Sequence, residues 1–210
     1  VKEKCGFTIQ ILSGKEEAVF DYCGALEGGL GDSGLLVDVG GGSTELVFFK
    51  GGRAAAVRSV PLGSLSLFNK CVGGIIPTAG ELAAMKAEAR KALAGVLPDS
   101  QGYSAQPMCG VGGTARGALA LYRGMVGEPG AEGYDTQFFS KVLRQAQDNP
   151  KKLTRRILKI APERIHTMLP GIALLSAAAE LYGSRTVVTS KYGVREGYML
   201  SILESRGIRV

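Results

Sequence analysis

The chain has no tryptophan and a single histidine, His166, among its 210 residues. One histidine excludes multi-histidine metal centres, and Ser-His-Asp chemistry would have to rest on that one side chain, which reads as structural. The four cysteines, Cys5, Cys23, Cys71 and Cys109, are widely spaced and form no Cys-x-x-Cys pair. That excludes a zinc knuckle and fits reduced thiols, as expected in the cytoplasm. No apolar run approaches the roughly 20 residues needed to span a membrane. The N-terminus, Val1-Lys2-Glu3-Lys4, has neither an initiator methionine nor a signal-peptide pattern, as expected of a domain cut from a longer protein. No internal repeat or low-complexity tract stands out.

What is present is enough apolar material for one good core. The composition is 45% hydrophobic and 21% charged, with a net charge of +6. Much of the excess falls in Lys151, Lys152, Arg155, Arg156 and Lys159. At helical spacing Lys151, Arg155 and Lys159 share a face, which reads as a solvated surface or as a landing strip for a polyanion. Nucleic acid is the weaker partner, because no aromatic residue interleaves the stretch and no nucleic-acid motif is present.

The most informative stretch is Asp38-Val39-Gly40-Gly41-Gly42-Ser43-Thr44. It lies between two apolar runs, Gly34 to Val37 and Leu46 to Phe49. Glycines let another group approach the backbone, and consecutive amides in such a turn can converge on an anion. An ordinary hairpin turn has a similar composition. Glu45 weighs against that reading, because Asp38 and Glu45 then bracket one turn inside apolar strands. Carboxylates in such places are costly without a partner, and a metal or phosphate site supplies one.

The hydrophobic periodicity predicts a strand over 7–12 and a helix over 15–26 capped by Ser13. Strands follow over 35–39, 44–49 and 53–60, with a short helix within 61–72. Thr78 and Glu81 form a capping box for a helix to about Leu97, with Leu82, Met85, Ala89, Ala92, Leu93 and Val96 as its apolar stripe. A strand over 107–111 leads through Gly112-Gly113-Thr114 into a helix to Tyr122. The stretch 124–134 reads as a loop, and helices follow over 136–147 and 150–160. An apolar helix opens at Pro170-Gly171, ahead of a strand over 185–190 and a helix over 194–205. A hairpin followed by strand–helix units predicts an α/β fold: a mixed five-stranded, ribonuclease-H-like sheet flanked by helices, with extra helices in the second half. This connectivity suits one lobe of the actin/Hsp70/sugar-kinase superfamily. The chain reads as a single domain: 1–30 leads in, 35–122 and 165–205 form the core, and 124–162 is a helical insertion.

Four segments, in order, resemble the exopolyphosphatase / guanosine pentaphosphate phosphohydrolase family. They are Ile11-Leu12-Ser13-Gly14-Lys15-Glu16-Glu17-Ala18, the Asp38 to Val47 stretch, Gly110-Val111-Gly112-Gly113-Thr114, and Gly193-Val194-Arg195-Glu196-Gly197, with Leu169-Pro170-Gly171 between the last two. The resemblance spans nearly the whole chain. It implies that Glu17 is the general base and that Glu16 points elsewhere. It further implies that Asp38 and Glu45 act through Mg2+, or Mn2+. Gly40, Gly41, Gly42 and Ser43 would bind phosphoryl oxygens, with Gly112, Gly113 and Thr114 as a second contact turn. Arg195 and Glu196 match a family motif and read as structural.

The expected substrate is inorganic polyphosphate or guanosine pentaphosphate, and a homodimer is a family-level expectation. The family's amino-terminal phosphate loop has no counterpart here, so the chain is expected to be the second lobe, one wall of a cleft, inactive alone. A non-catalytic nucleotide- or polyphosphate-binding module is the alternative from another class. A kinase of the same superfamily is a third reading, against which the Ser-Gly-x-Glu-Glu-Ala helix argues.

Overall fold

A computed structural model describes residues 2–96 and 107–208. Its centre is a six-stranded mixed sheet of order β3-β2-β1-β4-β6-β5. The strands are β1 (Ser33–Val39), β2 (Thr44–Lys50), β3 (Arg53–Val60), β4 (Met108–Val111), β5 (Gly133–Asp135) and β6 (Thr186–Thr189). β1, β4 and β6 run parallel, and β2, β3 and β5 are antiparallel to their neighbours. Gly51 and Gly52, both at positive φ, make the tight β2–β3 turn, which matches the twist of the hairpin it joins.

The helices are α1 (Lys2–Cys5), α2 (Gly14–Glu27), α3 (Ser64–Cys71), α4 (Ala79–Leu93), α5 (Gly112–Val126), α6 (Gln137–Asp148), α7 (Pro150–Ile160), α8 (Met168–Leu181) and α9 (Val194–Ser205). Side chains of a strand alternate between its two faces. Leu35, Val37, Leu46, Phe48 and Met108 point into the larger core, with α4, α5, α6 and α8. The apolar helix α8 is buried on nearly every side, which explains a sequence with no polar stripe. The opposite residues, Leu36, Val47, Phe49, Cys109 and Val111, meet Ala18, Tyr22 and Ala25 of α2.

Helix α9 packs on α2 with almost no space between the backbones. A Cβ on Gly197 would collide with the Phe20 carbonyl oxygen, and one on Gly24 with the Gly193 carbonyl. The Gly193-to-Gly197 segment is therefore a packing device. Glu196 closes the start of α9, where its Oε2 accepts from the Gly193 amide at 2.8 Å.

Several sequence expectations need correction. Residues 7–12 form no strand. They are extended, but Phe7, Ile9 and Ile11 are 72%, 65% and 88% exposed and no described strand pairs with them. Alternation sets local conformation, whereas pairing requires a neighbour. The sheet has six strands rather than five, because Gly133–Asp135, inside the expected loop, pairs with β6 as an edge. Helix α4 ends at Leu93, and Leu97 lies outside the described residues. Helix α8 opens at Met168, with Pro170 in its first turn, where a missing amide costs nothing. His166 is exposed and packs edge-on against Phe68, 5.0 Å between centroids.

Replacing Gly197 by Ala should force α2 and α9 apart and cost about 1–3 kcal/mol, the usual range for overpacking. Urea denaturation measures it, and an unchanged midpoint would mean that the helices can separate freely.

Candidate functional site

The site forms at the carboxyl ends of β1 and β4, where open α/β sheets characteristically bind ligands. Asp38 and Glu45 are register partners on adjacent strands. By alternation with Leu36 and Val47, both point to the α2 side. Glu45 is only 3% exposed. Its Oε1 accepts from the Ser59 hydroxyl at 2.8 Å, and Ser43 hydrogen-bonds it as well. Burial pushes the Glu45 carboxyl up, and the two hydroxyls hold it down.

Helix α2 starts directly above this pair. Ser13 caps it in a reciprocal box with Glu16. That fixes the roles of the two neighbouring acids. Glu16 is exposed and committed to the cap, while Glu17 is half-buried and close enough for its charge to raise the pKa of both Asp38 and Glu45. The close approach depends on Gly14, because a Cβ there would strike the Ser59 side chain and lie 3.4 Å from Glu45 Oε1.

Sequence reasoning missed Asp21. It sits one turn beyond Glu17 in α2, is 1% exposed, and has one oxygen, Oδ1, without a hydrogen-bond partner. Its carboxyl hydrogen-bonds that of Asp38. Burial first and the Asp38 charge second push Asp21 up to about 8, against the Val194 amide, which works the other way. Burial raises Asp38 too, while the bond to Asp21 and the charge of Arg116 hold it down. Burial thus raises both carboxyls of this hydrogen-bonded pair. The signal was available in the sequence: Asp21 interrupts the buried Ala18, Tyr22, Ala25 stripe at i+4 from Glu17.

The hairpin tip divides its backbone groups by direction. The Gly40 carbonyl accepts from the Ser64 amide at 2.8 Å and its hydroxyl at 3.0 Å, and the Gly41 carbonyl accepts from the Leu65 and Ser66 amides, each at 3.0 Å. The tip therefore caps α3 and consumes its first amides. The amides of Gly41, Gly42 and Ser43 have no acceptor among the described residues, and Gly41 and Gly42 are exposed. Nothing lies within 4 Å of a Cβ placed on Gly42. Packing gives no reason for a glycine there, whereas close approach of a ligand does.

The second turn is built differently. Gly112 has φ +75°, and a Cβ on it would strike the Asp38 carboxylate. The Arg164 guanidinium fills the space a Cβ on Gly113 would take. Thr114 is buried, and its hydroxyl donates to the Val39 carbonyl at 2.6 Å. That side chain ties α5 to the end of β1, so its hydroxyl is not free for phosphate. Sequence reasoning did not single out Arg116, whose charge acts on Asp38, or Arg164, which lies on Gly113.

Among the described residues no three His, Cys, Asp or Glu side chains converge as a metal cage. The donor set suits a hydrated ion held by one or two carboxylates with the rest of its shell from water and phosphate, the usual manner of magnesium.

The fold is of the actin-like ATPase superfamily type, with β5 as an edge strand of its mixed sheet. The chain belongs to the Ppx/GppA phosphatase family, whose model matches residues 1–206. It is 27% identical over 202 residues to a guanosine-5'-triphosphate,3'-diphosphate pyrophosphatase of Aeromonas hydrophila, covering 93% of this chain and 39% of that protein. The enzyme of the same name from Photobacterium profundum is 24% identical over 203 residues, 96% of this chain and 40% of that one. The chain thus spans about two fifths of the curated relatives it matches. Among solved structures, an exopolyphosphatase from Cytophaga hutchinsonii superposes with a TM-score of 0.81 at 18% identity, over 99% of this chain and 69% of that one. The Aquifex aeolicus PPX-GPPA enzyme gives 0.76 at 23% identity, over 95% and 67%. None of the described helices is long and apolar enough to cross a membrane.

The raised Asp21 carboxyl makes folding pH-dependent. An unfolded aspartic acid titrates near 3.8 and the folded one near 8, so the folded state binds the extra proton between those values. Stability from this group is full below pH about 4 and is lost as pH rises through 8. Asp21→Asn, measured without divalent ions, should flatten that decline in urea titrations between pH 5 and 9, whereas an unchanged slope would remove Asp21 as its source.

Proposed function

We propose that this chain is the second lobe of a phosphoanhydride hydrolase that releases terminal phosphate from inorganic polyphosphate or guanosine pentaphosphate. The observation that carries this reading is the meeting of an open glycine tip, with its amides free, and a buried group of carboxylates. Each half explains the other, since an anion on the tip needs positive charge between itself and the acids. The names of the curated relatives and of the solved structures support the same chemistry.

The terminal phosphoryl group lies over the amides of Gly41, Gly42 and Ser43. Magnesium, held through Asp38 and Glu45, would supply charge neutralisation to phosphoryl oxygens when bound. The Ser43 and Ser59 hydroxyls counter the effect of burial on Glu45, and the bond to Asp21 does the same for Asp38. Glu17 stands at the mouth of this group. There it orients the attacking water and takes its proton. The Gly14 contact and the Ser13–Glu16 box fix the helix that carries Glu17, so the base is positioned by backbone packing and not by a loop. Arg116 and Arg164 frame the second turn with positive charge. The facing phosphate loop belongs to a preceding lobe, so phosphate release requires both.

In the two-lobed protein, Glu17→Gln should lower the rate of phosphate release about 10²-fold or more, with substrate binding largely kept. A rate within twofold of wild type would dismiss Glu17 as the base. Release from neither polyphosphate nor guanosine pentaphosphate by the wild-type protein, with saturable binding of either, would favour a non-catalytic binding module.

A further inference from the structure

Helices α6 and α7 carry seven cations, Lys141, Arg144, Lys151, Lys152, Arg155, Arg156 and Lys159, against one acid, Asp148. Their combined charge equals the net +6 of the entire chain. None of the seven forms an ion pair among the described residues. The distribution on α7 is sharply one-sided. At about 100° per residue, its five basic side chains occupy one continuous arc of about 140°. Leu153 and Ile157, 1% exposed each, lie on the other side against the core.

A surface helix needs only a scattering of charges of both signs to stay solvated. Five cations on one face, at i and i+4 spacing and with no acid on the helix, repel one another. Such a face is relieved by a polyanion. The chain leaving α7 runs through Ala161 into the turn Pro162–Arg164, and Arg164 lies on Gly113 and Gly117 at the start of α5. That helix start abuts Asp38. The basic face is therefore joined to the candidate site by one short turn that itself ends in a cation.

We propose that the α7 face is a docking track for inorganic polyphosphate, holding the part of a long chain that lies outside the catalytic cleft. This rests on the proposed function for its biological sense, but not for its test. The chemistry favours polyphosphate over nucleic acid. The exposed arc has no aromatic side chain on which bases could stack, and single-strand binding draws much of its affinity from such stacking. It also favours a long polyanion over guanosine pentaphosphate, whose five phosphates are split into two short groups, whereas polyphosphate runs unbroken along a row about 12 Å long, eight residues at 1.5 Å rise.

The test measures binding of long-chain polyphosphate to this chain by fluorescence anisotropy at about 50 mM salt, a condition where charge contacts show fully. The variant replaces Lys151, Lys152, Arg155, Arg156 and Lys159 with Gln. A control variant removes charge elsewhere, with Lys50→Gln, Arg53→Gln and Lys86→Gln. The track predicts at least about tenfold weaker binding for the first variant and less than about threefold for the control. Wild-type affinity should fall steeply with salt, which can be read without any variant. Binding unchanged in the five-residue variant, or a flat salt dependence of the wild type, overturns the proposal. So does single-stranded RNA of equal length binding as tightly through the same residues, which would make the face a nucleic-acid surface. Phosphate release plays no part in these readings. If the two-lobed protein hydrolyses nothing while α7-dependent binding persists, the proposed function fails and the track stands.

Discussion

The structure depends on a concentration of negative charge at one corner of the sheet. Asp21, Asp38 and Glu45 are drawn from α2, β1 and β2 into a space largely closed to water, with Glu17 beside them. Burial alone raises all three carboxyls. The chain offsets the cost with a hydrogen bond between Asp21 and Asp38, two serine hydroxyls on Glu45 and the charge of Arg116 near Asp38. None of these neutralises the corner fully. In the proposed function a positive charge and an anion complete it, and the open amides of the glycine tip lie next to it.

Much of the surrounding fold serves that corner. Gly14 lets α2 descend onto Glu45. Gly112 lets α5 begin against Asp38, and the Thr114 hydroxyl holds it there by the Val39 carbonyl. Gly24, Gly193 and Gly197 bring α9 against α2, which seats the Val194 amide beside Asp21. At these places a side chain would displace one of these carboxylates or the helix that presents it. The tip carbonyls of Gly40 and Gly41 cap α3, so the turn is rigid on one side and open on the other.

The strands, the helices and the glycine turn were legible because their signals are local. Apolar runs marked β1 and β2, and Ser13 and Thr78-x-x-Glu81 marked two helix starts that hold. Three residues of Gly133–Asp135 were too few to show a pattern, and their strand exists only because β6 offers an edge. Phe7, Ile9 and Ile11 showed a pattern with no partner to realise it. In the site, Asp38, Glu45 and the glycines announced themselves as polar residues in apolar surroundings. For Thr114, sequence position does not reveal that the Val39 carbonyl takes its hydroxyl. Asp21 went unread because its interruption of an apolar stripe gains meaning only through contact with Asp38, seventeen residues away on another element.

The central claim is that the tip of the β1–β2 hairpin is open because phosphate occupies it. Gly42 tests this most directly, since packing leaves its Cβ direction empty. In a protein that joins this lobe to the proposed first one, Gly42→Val should leave the thermal unfolding midpoint unchanged and lower kcat/KM for phosphate release about a hundredfold, the scale of loss from displacing a bound group by about 1 Å. Wild-type kcat/KM in a fully folded Gly42→Val protein would contradict the account.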